Sequence, residues 1–268
     1  VSTPDALLDE LASVAHRAAA AAVGVIHDRR PRRVEVSTKS TATDLVTDMD
    51  LASERAIREV VAATRPHDVV VGEEGGGVGA PPGGVTWWVD PIDGTTNYVY
   101  DHPGYNVSIA AAIDDEVVVG VVADPTHRRT YSAVRGRGAF CGTERLRLGP
   151  ARPLAELLVA TGFGYDPARR ARQGRVVAEL LPRIRDIRRM GAAALDLCSV
   201  AAGRVDAYYE RGLSRWDLAA GALIATEAGA RAGAIDGGPL EPASVLVCHP
   251  ERFDELSGLL AGLGAHEV

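Results

Sequence analysis

Two apolar segments, residues 105–113 and 117–123, are separated only by Asp114-Asp115-Glu116. So short a connection cannot hold a parallel crossover, so the two segments pair as an antiparallel hairpin. Residues 130–134 and 139–141 continue the same sheet, and residues 68–72 and 85–89 read as buried-type strands before it. Two helices precede these strands. The first starts at Thr3-Pro4-Asp5, a hydroxyl cap followed by proline in the first turn. It carries Leu7, Leu11, Val14, Ala18, Val25 and Ile26 at helical spacing to about His27. The second opens at Asp48 or Asp50 and runs to about Thr64. Between them, residues 34–36 read as a short strand and 37–43 as a polar loop. Residues 1–149 therefore read as two helices on a mostly antiparallel sheet.

Residues 149–153, rich in glycine and proline, are the expected boundary. Beyond it, in 150–268, strands and helices alternate. Strands are expected at 157–161, 186–188, 206–210 and 245–247, and helices at 169–181, 192–202, 217–228 and 251–260. A chain of 268 residues suits one large domain or two tightly joined halves. A net charge of −7 argues against binding nucleic acid by bulk electrostatics. No apolar run reaches the roughly 20 residues a membrane-spanning helix needs. The start of the chain lacks the basic and apolar regions of a signal peptide, so a cytoplasmic location is expected. Cys141, Cys198 and Cys248 are far apart and read as free thiols. No histidine spacing points to zinc.

The chemistry concentrates where apolar runs end at acids. Residues 85–89 lead into Asp90-Pro91-Ile92-Asp93-Gly94-Thr95-Thr96-Asn97. Two carboxylates three residues apart, with proline and glycine shaping a turn, can aim several oxygens at one point. Such oxygen-rich sites hold magnesium or calcium. Glu73 and Glu74 follow another strand, and Asp217 sits in the first turn of an alanine-rich helix. Each acid alone has an ordinary structural role as a turn residue or helix cap. Lys39 is the only lysine in a chain otherwise rich in arginine.

Four strings, in order, resemble the inositol monophosphatase family: Asp44-Leu45-Val46-Thr47-Asp48-Met49-Asp50; Gly72-Glu73-Glu74; Asp90 to Asn97; and Trp216-Asp217-Leu218-Ala219-Ala220-Gly221. The resemblance spans the chain from Lys39 to at least Gly229. It implies an α+β fold, the layered αβαβα sandwich of the inositol monophosphatase and fructose-1,6-bisphosphatase type. It also implies a Mg²⁺-dependent, lithium-sensitive phosphomonoesterase acting as a homodimer.

Carried over by residue, the resemblance makes Glu73, Asp90 and the Ile92 carbonyl ligands of a first Mg²⁺. Asp90, Asp93 and Asp217 would hold a second, and a weaker third is expected near Glu73, beside a loop bearing Lys39. Asp50 and Thr95 match the pair that activates the attacking water. Gly94 and Thr95 N–H groups would receive the phosphate. Ala193 and Glu210, with Asp217, would line the polyol pocket. Tyr98-Val99-Tyr100 and Ala230 depart from the family pattern without touching an expected ligand. The expected substrate is a small phosphorylated polyol, with myo-inositol 1-phosphate leading. Histidinol phosphate, fructose 1,6-bisphosphate and 3′-phosphoadenosine 5′-phosphate are alternatives within the class. A regulatory binding protein of transcription complexes is the alternative outside it. No membrane or nucleic-acid partner is expected.

Overall fold

A computed structural model describes residues 3–28, 36–38 and 45–268. Lys39, Asp44, the arginine-rich run at 29–33 and most of the expected 34–36 strand and 37–43 loop lie outside the described residues. Helix α1 (Asp5–Asp28) buries Leu11, Val14, Ala15, Ala18, Ala22 and Ile26, a stripe at helical spacing. Strands β1 (Val36–Thr38) and β2 (Leu45–Thr47) pair antiparallel. Thr47 then caps α2 (Asp48–Thr64) in a reciprocal box with Asp50 at its third position.

The main sheet follows. Strand β3 (Val69–Gly72) lies parallel to β4 (Val85–Asp93). After the short helix α3 (Thr95–Val99), the antiparallel strands are β5 (Asn106–Ile113), β6 (Glu116–Asp124), β7 (Arg129–Val134), β8 (Gly138–Cys141) and β9 (Glu144–Leu146). Their spatial order is β3-β4-β5-β6-β7-β8-β9. The expected hairpin is β5–β6. Its tip holds Asp114 and Asp115 at φ 49° and 65°, the left-handed pair that a tight hairpin turn needs and that aspartate tolerates.

One expectation is corrected here. Asp90 to Asp93 is no free turn, because β4 runs on to Asp93. The pairing with β5 slips between Asp90↔Ser108 and Asp93↔Asn106. The slip accommodates Pro91, which has no N–H to give the ladder, and it lets both acids stay on one strand end.

The second sheet is built from β10 (Leu158–Thr161), β11 (Asp186–Arg188), β12 (Ala207–Glu210), β13 (Arg231–Gly233) and β14 (Val245–Cys248), in the order β11-β10-β12-β14-β13. Helices α4 (Pro167–Leu180), α5 (Ala193–Ala201), α6 (Arg215–Glu227) and α7 (Pro250–Gly262) complete the fold. Strands β2, β9 and β13 were not expected. Three residues are too few to show a period, and β9 and β13 are recruited by the longer strands beside them.

Alternation along the strands separates three cores. Val107, Ile109 and Ala111 face α1 and α2 together with Trp87, Val89, Val119 and Val121. Ala110 and Val122 point the other way, onto α5 and α6, where Tyr208, Val245 and Val247 meet them from the second sheet. Ala207, Tyr209, Leu246 and Cys248 face outward again, onto Val176 and Leu180 of α4 and Phe253, Leu256 and Leu260 of α7. The middle core fills both sides of the α5 and α6 layer, so the three cores join five layers: helices, sheet, helices, sheet, helices. Gly120 and Gly221 permit the tightest contacts of the middle layer. A Cβ on Gly120 would lie 2.8 Å from the Ala220 carbonyl oxygen, and one on Gly221 2.8 Å from Leu197.

Candidate active site

The layering brings β3, β4 and β12 and the first turns of α2, α5 and α6 to one cleft. Glu73 follows β3, and its N–H donates to the Val89 carbonyl at 3.1 Å, which sets it beside Asp90. Asp90 and Asp93 are buried. The Asp90 carboxylate accepts from the Ile92 N–H at 3.0 Å. Asp93 is held by three donors: Asn106 Nδ2 at 2.8 Å, Ala193 N–H at 3.2 Å and Ala194 N–H at 2.9 Å. The last two are unpaired donors of the α5 first turn, whose own cap residue, Ala192, has no side chain to satisfy them. Asp217 is the third residue of α6 and accepts from the Ser214 N–H at 2.7 Å.

These acids feel one another. Burial, then the charges of Glu73, Asp93, Asp217 and Asp50, push the Asp90 carboxyl well above the usual carboxylate range. Burial pushes Asp93 up to about 7, against the lowering effect of its Asn106 and Ala194 hydrogen bonds. Asp217 is pushed up to about 8 by burial and then by the Asp93 charge. Four carboxylates sharing a desolvated cleft are costly as anions unless a cation joins them. Among the described residues, no three acidic, histidine or cysteine side chains already enclose a point as a finished metal cage. The donor set nonetheless fits a hard divalent cation. It is all oxygen, and the Asp90, Asp93 and Asp217 carboxylates are each anchored through backbone or amide donors.

Asp50 is fully buried. Its Oδ2 accepts from the Thr47 N–H at 2.8 Å and the Thr47 hydroxyl at 2.6 Å, which leaves Oδ1 for the Thr95 hydroxyl at 3.2 Å. The same hydroxyl lies 3.0 Å from the Ile92 carbonyl oxygen. Asp50 is thus both a helix-capping residue and the partner of Thr95. Gly94, at φ 88°, packs so closely that a Cβ would lie 2.8 Å from the Gly104 carbonyl oxygen. Asn97 ties the next turn to the Gly104 and Met190 carbonyls at 2.7 and 2.8 Å.

At the far side of the cleft, Glu210 accepts from the Tyr208 hydroxyl at 2.6 Å, and burial raises its carboxyl. A small pocket, lined in part by Gly162, Phe163, Gln173 and Arg211, opens beside it. Ala193 contributes its N–H to Asp93 and so serves the acids rather than packing alone. Of the expected site residues, only Lys39 lies outside the described residues. Sequence reasoning missed Asn106, Thr47 as the brace of Asp50, and Asp196 of α5. The Asp196 carboxyl is buried and raised well above its usual range by burial, then by Glu210 and Asp93. Asn106 could have been found from strand register, since it sits opposite Asp93.

Five layers with a shared acidic cleft at the strand ends define the layered αβαβα class. Residues 7–262 match the model of the inositol monophosphatase family. Inositol-1-monophosphatase SuhB of Mycobacterium tuberculosis (strain H37Rv) is 46% identical over 249 residues, covering 86% of each chain. Nus factor SuhB of Pasteurella multocida (strain Pm70) is 42% identical over 233 residues, covering 86% of this chain and 87% of the relative. The solved inositol monophosphatase of Anabaena superposes with a TM-score of 0.83 at 32% identity, over 96% of this chain and 97% of that one. The chain belongs to the inositol monophosphatase family.

Proposed function

We propose that this protein hydrolyses a small polyol phosphate monoester in a Mg²⁺-dependent reaction, with myo-inositol 1-phosphate the leading substrate. The observation that carries the reading is the set of acids Glu73, Asp90, Asp93 and Asp217 in one cleft, where burial and the neighbouring charges raise the three aspartates. Glu73, Asp90 and the Ile92 carbonyl would hold one Mg²⁺, and Asp90, Asp93 and Asp217 a second, with a third near Glu73. When bound, these ions supply Lewis acidity, lower the pKa of the attacking water and offset charge on the phosphate.

The chain's own groups do the rest. The Thr95 hydroxyl has one hydrogen and two acceptors within reach, Asp50 and the Ile92 carbonyl. Were that carbonyl to serve as a ligand, the hydrogen would go to Asp50, and the Thr95 oxygen would be left to accept from water. Two hydrogen bonds from Thr47 hold the Asp50 carboxylate oriented for this task. The Gly94 and Thr95 N–H groups receive a phosphate oxygen, and Asp217 faces the leaving oxygen. Glu210, Ala193 and the residues around them accept the polyol.

The test is steady-state phosphate release over a panel of inositol, histidinol, fructose and adenosine phosphates, with Mg²⁺ titrated. Negligible turnover of inositol phosphates beside rapid turnover of another ester would overturn the substrate assignment. Lithium sensitivity and a homodimer belong to the same reading, checked by inhibition kinetics and by light scattering of the eluted protein. A relative named a Nus factor favours a second reading, a binding role in transcription complexes. Recovery of RNA polymerase factors on the immobilised chain tests it.

A further inference from the structure

Helix α2 reaches the cleft at more than Asp50. Glu54 lies one turn along, on the same face, and is buried. Its Oε2 accepts from the Glu74 N–H at 2.9 Å, and its Oε1 from the Gly75 N–H at 3.0 Å. Arg58 Nε donates to the same carboxylate at 2.8 Å. The Arg58 guanidinium also donates to the Val70 carbonyl at 2.9 Å and the Gly76 carbonyl at 3.3 Å. Gly72 and Gly76 close the turn on each other, with the Gly76 N–H donating to the Gly72 carbonyl at 3.0 Å. A Cβ on Gly72 would lie 2.3 Å from Glu54 Oε2, and one on Gly75 2.5 Å from Oε1. Neither glycine has a positive φ, so what they supply is room for the carboxylate.

Glu73 sits between these contacts. The residue before it packs on the Glu54 carboxylate, and the two after it donate to that carboxylate. A glutamate on a helix is ordinarily solvated. Here charge-assisted bonds from two backbone N–H groups and a guanidinium offset its desolvation. We infer that Glu54, braced by Arg58, is a positioning residue that fixes Glu73 against Asp90 and so sets the affinity of the cleft for a divalent cation. The inference rests on the proposed reading of Glu73 as a ligand.

Calorimetric Mg²⁺ titration of the wild type, Glu73→Gln, Glu54→Gln and Glu54→Ala separates the two. Loss of an outer partner of a metal ligand weakens metal binding about 10–100-fold. Glu54→Ala should show a weakening of that order. Glu54→Gln, which keeps the volume and one accepting oxygen, should fall between it and the wild type. At saturating Mg²⁺ the KM for the ester should be unchanged. Weakened binding in Glu73→Gln with wild-type Mg²⁺ affinity in both Glu54 variants would overturn the inference. So would a lower melting temperature in chelator with unchanged Mg²⁺ affinity, which marks a purely structural role. Wild-type affinity in Glu73→Gln would instead remove the reading of Glu73 itself. If Glu54→Ala does not fold, Glu54→Gln decides the matter alone.

Discussion

At the residue scale, Asp93 carries the most. It accepts from Asn106, Ala193 and Ala194, so it joins β4, β5 and α5 at one carboxylate. Asp93→Asn keeps the shape but turns an acceptor into an amide that opposes some of these donors. Loss of kcat should exceed the roughly 10–100-fold typical of losing an outer partner of a metal ligand. Circular dichroism should show the fold retained. Thr95→Ala removes the hydroxyl that donates to Asp50 and is proposed to accept from the attacking water. It should lower kcat about 10²–10⁴-fold, the usual worth of a positioned proton acceptor, with a smaller effect on KM. Steady-state kinetics at saturating Mg²⁺ checks both, and wild-type kcat in either variant would contradict the roles assigned.

The acids that meet in the cleft were legible in the sequence because acids at strand ends and helix starts follow local chemistry. Glu54 was not. Its partners, Glu74 and Gly75, lie twenty and twenty-one positions away, and a helix glutamate carries no signal that it will be buried. Asn106 was hidden for a related reason: its meaning comes from register across a slipped ladder.

At the scale of elements, the helices act as holders. Helix α2 presents Asp50, Ser53 and Glu54 on one face, with Ser53 Oγ donating to the Pro91 carbonyl at 3.3 Å. Helix α5 offers its unpaired N–H groups to Asp93, and α6 brings Asp217. The closeness of α5 and α6 depends on Gly221, where any Cβ would press on Leu197 and, at 3.1 Å, on the Ala194 carbonyl oxygen. Gly221→Val should cost about 1–3 kcal/mol by overpacking. It should also lower kcat, because it shifts Asp217 relative to the Ala194 N–H that anchors Asp93. Urea unfolding and kinetics measure the two effects, and wild-type stability would contradict the close approach. The final glycine of the Trp216–Gly221 string therefore has a packing reason. The string could be read from the sequence, but the reason became visible only when α5 and α6 were seen crossing. The long helices and strands were legible from their periods, while β9 and β13 exist through their neighbours.

At the scale of the whole molecule, the layers bury an excess of negative charge, and stability must register it. In the metal-free protein Asp93 and Asp217 titrate at about 7 and about 8, against about 3.9 for an unfolded aspartate. Both folded values are raised. Their contribution to stability is therefore full below about pH 4 and is lost as pH rises through 7 and 8. A cation that binds only the folded, ionised cleft restores what is lost. The rise in melting temperature on adding Mg²⁺ should accordingly be larger at about pH 8.5 than at about pH 5.5. An equal rise at both pH values would contradict the linkage.

The acid cluster between the layers is proposed to work as a divalent-cation centre for ester hydrolysis. Phosphate release from myo-inositol 1-phosphate tests it most directly, measured on the chelated protein as Mg²⁺ is restored. No release is expected in chelator, with a saturable return of activity as Mg²⁺ is added and no comparable return for Asp93→Asn. Equal release in chelator, or an Asp93→Asn variant as active as the wild type, would contradict it.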